Sequence, residues 1–145
     1  MNVLIDANIP SNVWLWESRP EPRESAKVME AAGNGVIQGY MTPTLFLYSM
    51  LVLSSGVRNN ALVKAHGEDL LKCVTIIPQG KRVFMDGFEA GLWNDIEDCW
   101  QYHAAKRFKD PIEAIVTTEA ERFNKQGMVG IKAYTATDFV KKFLK

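Results

Sequence analysis

The sequence is poor in the residues that most often advertise a chemistry. Two cysteines stand in 145 residues, Cys73 and Cys99, and their spacing forms no metal-binding pair. Both read as core thiols. There are two histidines, His66 and His103. Neither lies near an expected strand end, so both read as structural or surface residues rather than acid–base catalysts. Charge of one sign is missing too, since seventeen Lys and Arg balance seventeen Asp and Glu. That excludes the broad positive field of an indiscriminate nucleic-acid binder, though not a local basic patch. No apolar run approaches the roughly 18 to 20 residues of a membrane span. The longest candidate, Leu45 to Leu53, is interrupted by Tyr48 and Ser49. The first apolar run is too short for a signal peptide and has no charged leader. The expectation is a cytoplasmic protein with free thiols and no membrane partner.

What is present is the composition of a globular protein. Apolar residues make up 47% and charged residues 23% of the chain, ordinary values that favour a single domain over residues 1–145. The length is enough to bury a substantial core.

The hydrophobic pattern alternates between two periods. Val3 to Ile5 is a short continuous apolar run, as in a strand covered on both faces. Asn8 and Pro10 suit the start of a helix. "SRPEPRES" breaks the chain, a helix fits Arg23 to Ala32, and "GNG" at Gly33 to Gly35 stops it. "VIQGYMT" reads as a second strand, followed by the very apolar helix "TLFLYSMLVL" and a further helix over "NNALVKAHGEDLLKC". "VTIIP" is the third strand. Helical patterns over Lys81 to Leu92 and Asp95 to Phe108 precede the fourth strand, "IEAIVTT". A short helix, the strand "IKAYT" and a last helix from Thr137 to Leu144 close the chain. Alternation of this kind predicts an α/β fold, a three-layer α/β/α sandwich around a mostly parallel five-stranded sheet.

In an open parallel sheet the chemistry gathers outside the carboxyl ends of the strands. Asp6 follows the first strand, and Thr117, Thr118 and Glu119 follow the fourth. "WNDIEDCWQ" supplies Asp95 and Asp98, three apart and so on one face near a helix start, with Glu97 expected on a different face. Each acid also has a structural role open to it. Asp6 suits a turn, Asp95 an N-cap with Asp98 at N3, and Glu119 an exposed first turn. If the three segments converge, several carboxylates repel one another, and a hard cation such as Mg²⁺ or Mn²⁺ relieves them. Trp93, Trp100, Tyr102 and Phe108 follow the acidic helix at core-like spacing. Trp14 and Trp16 are expected beside the cleft, with Arg19 and Arg23 next in sequence. Lys106, Arg107 and Lys109 form the densest basic cluster and stand as a weak phosphate-contact candidate.

These motifs resemble the PIN-domain family, in particular the small bacterial VapC-type toxin ribonucleases. "VLIDANI" is similar to the family's opening strand, with Asp6 at the catalytic Asp and Asn8 at its supporting Asn. "NDIEDCWQYHAA" resembles the acidic helix, Asp98 taking the metal-site position with Asp95 and Glu97 as neighbours. "AIVTTEAERF" resembles the fourth strand and its turn, Thr117 matching a threonine and Glu119 an Asn/Asp position. "GIKAYTATDFVKKFL" resembles the closing strand and helix. The order and spacing agree over nearly the whole chain. Two positions depart from the pattern. The Glu usual on the helix after the second strand falls near Tyr48, and Arg122 precedes Phe123 where relatives often carry Asp.

The resemblance implies a metal-dependent ribonuclease. Asp6, Asp98 and Glu119 would be the catalytic carboxylates and, with Asp95, the ligands of Mg²⁺ or Mn²⁺, supported by Asn8 and Thr117. It also implies RNA as substrate, a homodimer, and an antitoxin protein as partner. The alternative is a catalytically lapsed PIN domain that binds RNA or protein, favoured by the lost Glu and by Arg122. An unrelated α/β domain, such as a receiver-like phosphoacceptor at Asp6, is a third reading.

Overall fold

The computed structural model describes residues 1–145. Five strands, β1 (Asn2–Ile5), β2 (Gln38–Met41), β3 (Val74–Ile76), β4 (Ala114–Val116) and β5 (Lys132–Tyr134), form one sheet in the order β3-β2-β1-β4-β5. Every pairing is parallel, so the mostly parallel sheet expected from the pattern is wholly parallel. The helices are α1 (Asn8–Trp14), α2 (Pro22–Gly33), α3 (Pro43–Gly56), α4 (Asn60–Cys73), α5 (Lys81–Ala90), α6 (Ile96–Arg107), α7 (Ala120–Asn124) and α8 (Ala136–Phe143). They flank the sheet in a three-layer α/β/α arrangement.

The central strand explains the apolar runs. Val3, Leu4 and Ile5 are wholly buried, as are Ala114, Ile115 and Val116 of β4. A strand packed on both faces has no side that tolerates water, so its sequence does not alternate. Burying each Leu, Ile or Val side chain contributes about 1.5 to 3 kcal/mol. Gly39 lets β2 sit close to its surroundings. A Cβ there would lie 3.0 Å from the Cys73 carbonyl oxygen and 3.0 Å from Ile5 Cδ1.

Two connections place the site. The chain winds one way from β1 through β2 to β3, then returns to the other side of β1 for β4 and β5. The strand order therefore reverses between β1 and β4, which opens a crevice at their carboxyl ends. The register pairs Ile5 with Val116, and the Asp6 amide continues the ladder by donating to the Val116 carbonyl at 3.0 Å. Asp6 and Thr117 are thereby side by side. Near the same end, Thr42 caps α3 by accepting from the Leu45 amide at 3.1 Å, and its hydroxyl donates to buried Gln101 of α6. That contact ties α6 to the end of β2. Helix α5 packs closely on α6, because Gly87 leaves room for the Trp100 indole. No helix is long and apolar enough to cross a membrane.

Candidate functional site

Asp6 is held from three directions. Its Oδ1 accepts from the Ala7 amide at 2.7 Å, and its Oδ2 accepts from the Thr117 hydroxyl at 2.6 Å and from Asn8 Nδ2 at 3.2 Å. Asn8 bridges to the other turn by accepting from the Thr118 amide at 3.2 Å. Buried Thr117 Oγ1 accepts in turn from the Glu119 amide at 3.1 Å. The two strand ends are thus stitched together by side chains that the register brings into reach. Asn8 does not cap α1 as expected from its position. The N-cap is Ala7, without a side-chain bond, and the Asn8 amide serves the Asp6–Thr117 network instead.

The acidic helix enters from the opposite wall. Asp95 is the N-cap of α6, its Oδ1 accepting from the Asp98 amide at 3.0 Å. This satisfies one free amide at the helix start and places negative charge where the dipole favours it. Buried Asp98 faces Arg122 of α7, whose Nε donates to Asp98 Oδ2 at 2.8 Å. The same guanidinium stands 3.4 Å from Asp95 Oδ2 and 3.8 Å from Glu119 Oε2. All four predicted carboxylates, Asp6, Asp95, Asp98 and Glu119, line one cleft of about 330 Å³.

Glu97 lines it too. The expectation that it faces elsewhere is wrong, for a geometric reason. Residues one apart are well separated in direction along the middle of a helix. Here the cleft looks on to the first turn of α6, where both neighbours border the same space. Tyr48 and Arg19 also reach the cleft. Tyr48 therefore puts an aromatic ring, not an acid, on this side of the cleft. Trp14 and Trp16 are not among the residues lining it. Trp14 packs near His66 and Trp16 is exposed. Cys99 is buried and both cysteines are free. Trp93 and Trp100 pack against the core.

Five carboxylates thus meet two guanidinium groups, Arg122 and Arg19. The balance shows in their protonation. Burial pushes the Glu97 carboxyl up to about 7, aided by repulsion from Asp6, Asp95 and Asp98. Burial likewise raises Asp98 to about 6, although the hydrogen bond from Arg122 pulls the other way. Asp6 is raised by burial despite its bonds from Thr117 and Ala7. Burial is the leading cause in all three, and mutual repulsion adds to it only at Glu97 and Asp98.

Hard oxygen donors of this kind match Mg²⁺ or Mn²⁺ in chemistry. The Glu97 carboxylate and Asp98 Oδ1 accept no hydrogen bond from the protein, so their lone pairs are free for a ligand. In arrangement, Arg122 stands among Asp95, Asp98 and Glu119, and no three acidic side chains are drawn into one coordination shell. The site fits a cation in charge and donor type, and already holds an organic one. No family model matches the chain, and no curated protein or solved structure matches it.

Proposed function

We propose that the cleft is a metal-assisted hydrolytic site for RNA phosphodiester bonds, of the kind implied by the resemblance to the PIN-domain family. The observation that carries this reading is geometric: five carboxylates and only two guanidinium groups share one cleft at the carboxyl ends of β1 and β4. Three of the carboxyl groups, on Asp6, Glu97 and Asp98, are held above their ordinary range, chiefly by burial. A divalent cation is what such a group of carboxylates lacks. Asp98 and Glu119 would hold it together with Asp6, with Asp95 as a further ligand and Glu97 joining them. The bound Mg²⁺ or Mn²⁺ would supply Lewis acidity and an activated water.

The chain's own residues have distinct tasks in this reading. Thr117 and Asn8 fix the direction of the Asp6 carboxylate. Asp95 anchors the start of α6 and so fixes Asp98. Arg122 offsets the mutual repulsion of Asp95, Asp98 and Glu119, and its guanidinium is well suited to a phosphate oxygen. A toxin role, an antitoxin partner and a homodimer belong to the same proposal.

The test is cleavage of RNA by purified protein with Mn²⁺ or Mg²⁺, compared with Asp6→Asn. Loss of activity in the variant supports the reading. Equal cleavage by both assigns the activity to a contaminant and ends it.

One observation favours a second reading. Arg122 pairs with three of the acids, which neutralises much of what a metal would otherwise neutralise. A lapsed site that binds RNA or protein without cutting would look the same. Titration with Mn²⁺ separates the two. Micromolar binding that Asp98→Asn removes supports the hydrolytic reading, and no binding up to millimolar metal supports the lapsed one.

A further inference from the structure

A basic groove lies across α7 from the acidic cleft. Lys125, Lys132, Lys141, Lys142 and Lys145 line it together with Tyr134, and it encloses about 890 Å³. Two carboxylates oppose the five ammonium groups, those of Glu121 and Asp138. Glu121 is engaged with Lys125 at 2.8 Å, while Lys132, Lys141 and Lys145 form no ion pair. Lys132 and Lys142 lie over the Tyr134 ring, at 5.6 and 5.2 Å from its centroid. The basic cluster conspicuous in the sequence is less available. Lys106 donates to the Val129 carbonyl, and Arg107 binds Asp86 through two nitrogens.

Position gives the groove its meaning. Glu119 and Arg122 border the cleft, while Glu121, Asn124 and Lys125 border the groove. The two share the short segment around α7, and a helix is only about 10 Å across. A polyanion following the lysines would arrive at the acids. Unpaired ammonium groups attract backbone phosphates without reading sequence. A membrane-lying face would add large aliphatic side chains, and the groove has none.

We infer that the groove between α7, β5 and α8 binds the phosphate backbone of single-stranded RNA and leads the strand to the cleft, which rests on the reading of the cleft as an RNA site. The ammonium groups offset phosphate charge. The carboxylates then meet the strand only at one point, which limits their repulsion of it.

The experiment is fluorescence anisotropy of a short labelled oligouridylate across a range of KCl concentrations, in EDTA so that no cleavage occurs. Lys132→Gln/Lys141→Gln/Lys145→Gln removes three groove charges without breaking an ion pair. A control, Arg58→Gln/Lys64→Gln/Lys72→Gln, removes three charges from α4 and the residues just before it, away from the groove, breaking only exposed pairs with Glu68 and Asp69. The groove variant is expected to bind about tenfold or more weakly, with a salt slope smaller by about 2, since each single-strand phosphate contact contributes about 0.7. The control is expected to match wild type. An unchanged slope, equal weakening in the control, absence of RNA binding at low salt, or tighter binding to phosphatidylserine vesicles than to RNA overturns the inference. The cleft reading fails separately, on RNA cleavage that Asp6→Asn leaves intact or that metal never elicits, whatever the binding slopes show.

Discussion

Arg122 Nε donates to Asp98 Oδ2 at 2.8 Å, joining α7 to α6 across the mouth of the cleft. The bond crosses between two elements that no sequence periodicity relates. Asp98 is buried, and removing its partner leaves an acid beside Asp95 and Glu97 with no cation in contact. Arg122→Gln is therefore expected to destabilise the protein by about 1 to 3 kcal/mol, less than a fully buried pair because the guanidinium is partly exposed. Mn²⁺ should restore more of the lost melting temperature in this variant than it adds to wild type, since the cation then fills the place of the guanidinium. Equal responses to Mn²⁺ in the two proteins would mean that Arg122 and metal do not compete.

Tyr48→Glu places a sixth carboxylate in the cleft. The side chain is 41% exposed, so the fold should accept the change. An added negative ligand is expected to tighten Mn²⁺ binding about tenfold or more, worth about 1.4 kcal/mol. Isothermal titration reads it directly. Weaker binding in the variant would place Tyr48 outside the reach of the metal.

Glu97 has a pH signature. Its carboxyl is raised from 4.5 to about 7 in the folded protein. Between those values the folded chain holds a proton that the unfolded chain has lost. Stability contributed by this group is therefore present at low pH and falls as pH rises through the window. Asp98, raised to about 6, acts with the same sign. Glu97→Gln removes the larger of the two effects. The difference in stability between wild type and Glu97→Gln should change by on the order of 1 kcal/mol from about pH 5 to about pH 7.5, after allowance for solvent screening. Urea unfolding at the two pH values measures it, and parallel behaviour of the two proteins would refute the raised Glu97 carboxyl and its cause in burial and neighbouring acids.

Thr117→Val keeps the β-branched shape and removes the hydroxyl. Asp6 Oδ2 then keeps only Asn8, and the Glu119 amide loses its acceptor. The cost is expected to be about 1 to 3 kcal/mol, the ordinary penalty for orphaned polar groups in a buried place. The Asp6 carboxyl should also titrate higher than in wild type, because a bond that favours its charged form is gone. NMR titration of the Asp6 carboxyl carbon follows this directly.

Part of this protein is legible without coordinates. The apolar runs at Val3–Ile5 and "AIV" mark strands covered on both faces, and their alternation with helical segments implies a parallel sheet. Asp95 three residues before Asp98 announces a capped helix start, since side chain and amide meet there through local geometry alone. The positions of Asp6 and Glu119 at strand ends follow from the same reasoning. These features depend on neighbours within a turn or a strand, and short-range physics writes them into the sequence.

Tertiary structure decided the rest. Only strand order and register bring Thr117 on to Asp6, 111 residues apart. Only the end-on placement of α6 turns Glu97 into the cleft. Only the reach of one guanidinium from α7 gathers Asp95, Asp98 and Glu119 around a cation. The five lysines of the groove come from the end of α7 (Lys125), from β5 and α8, and from the residues that follow α8, and become a patch when those elements pack. Charge acts through space over about 10 Å at moderate salt. The fold, which sets those distances, therefore determines how the acids and lysines act together.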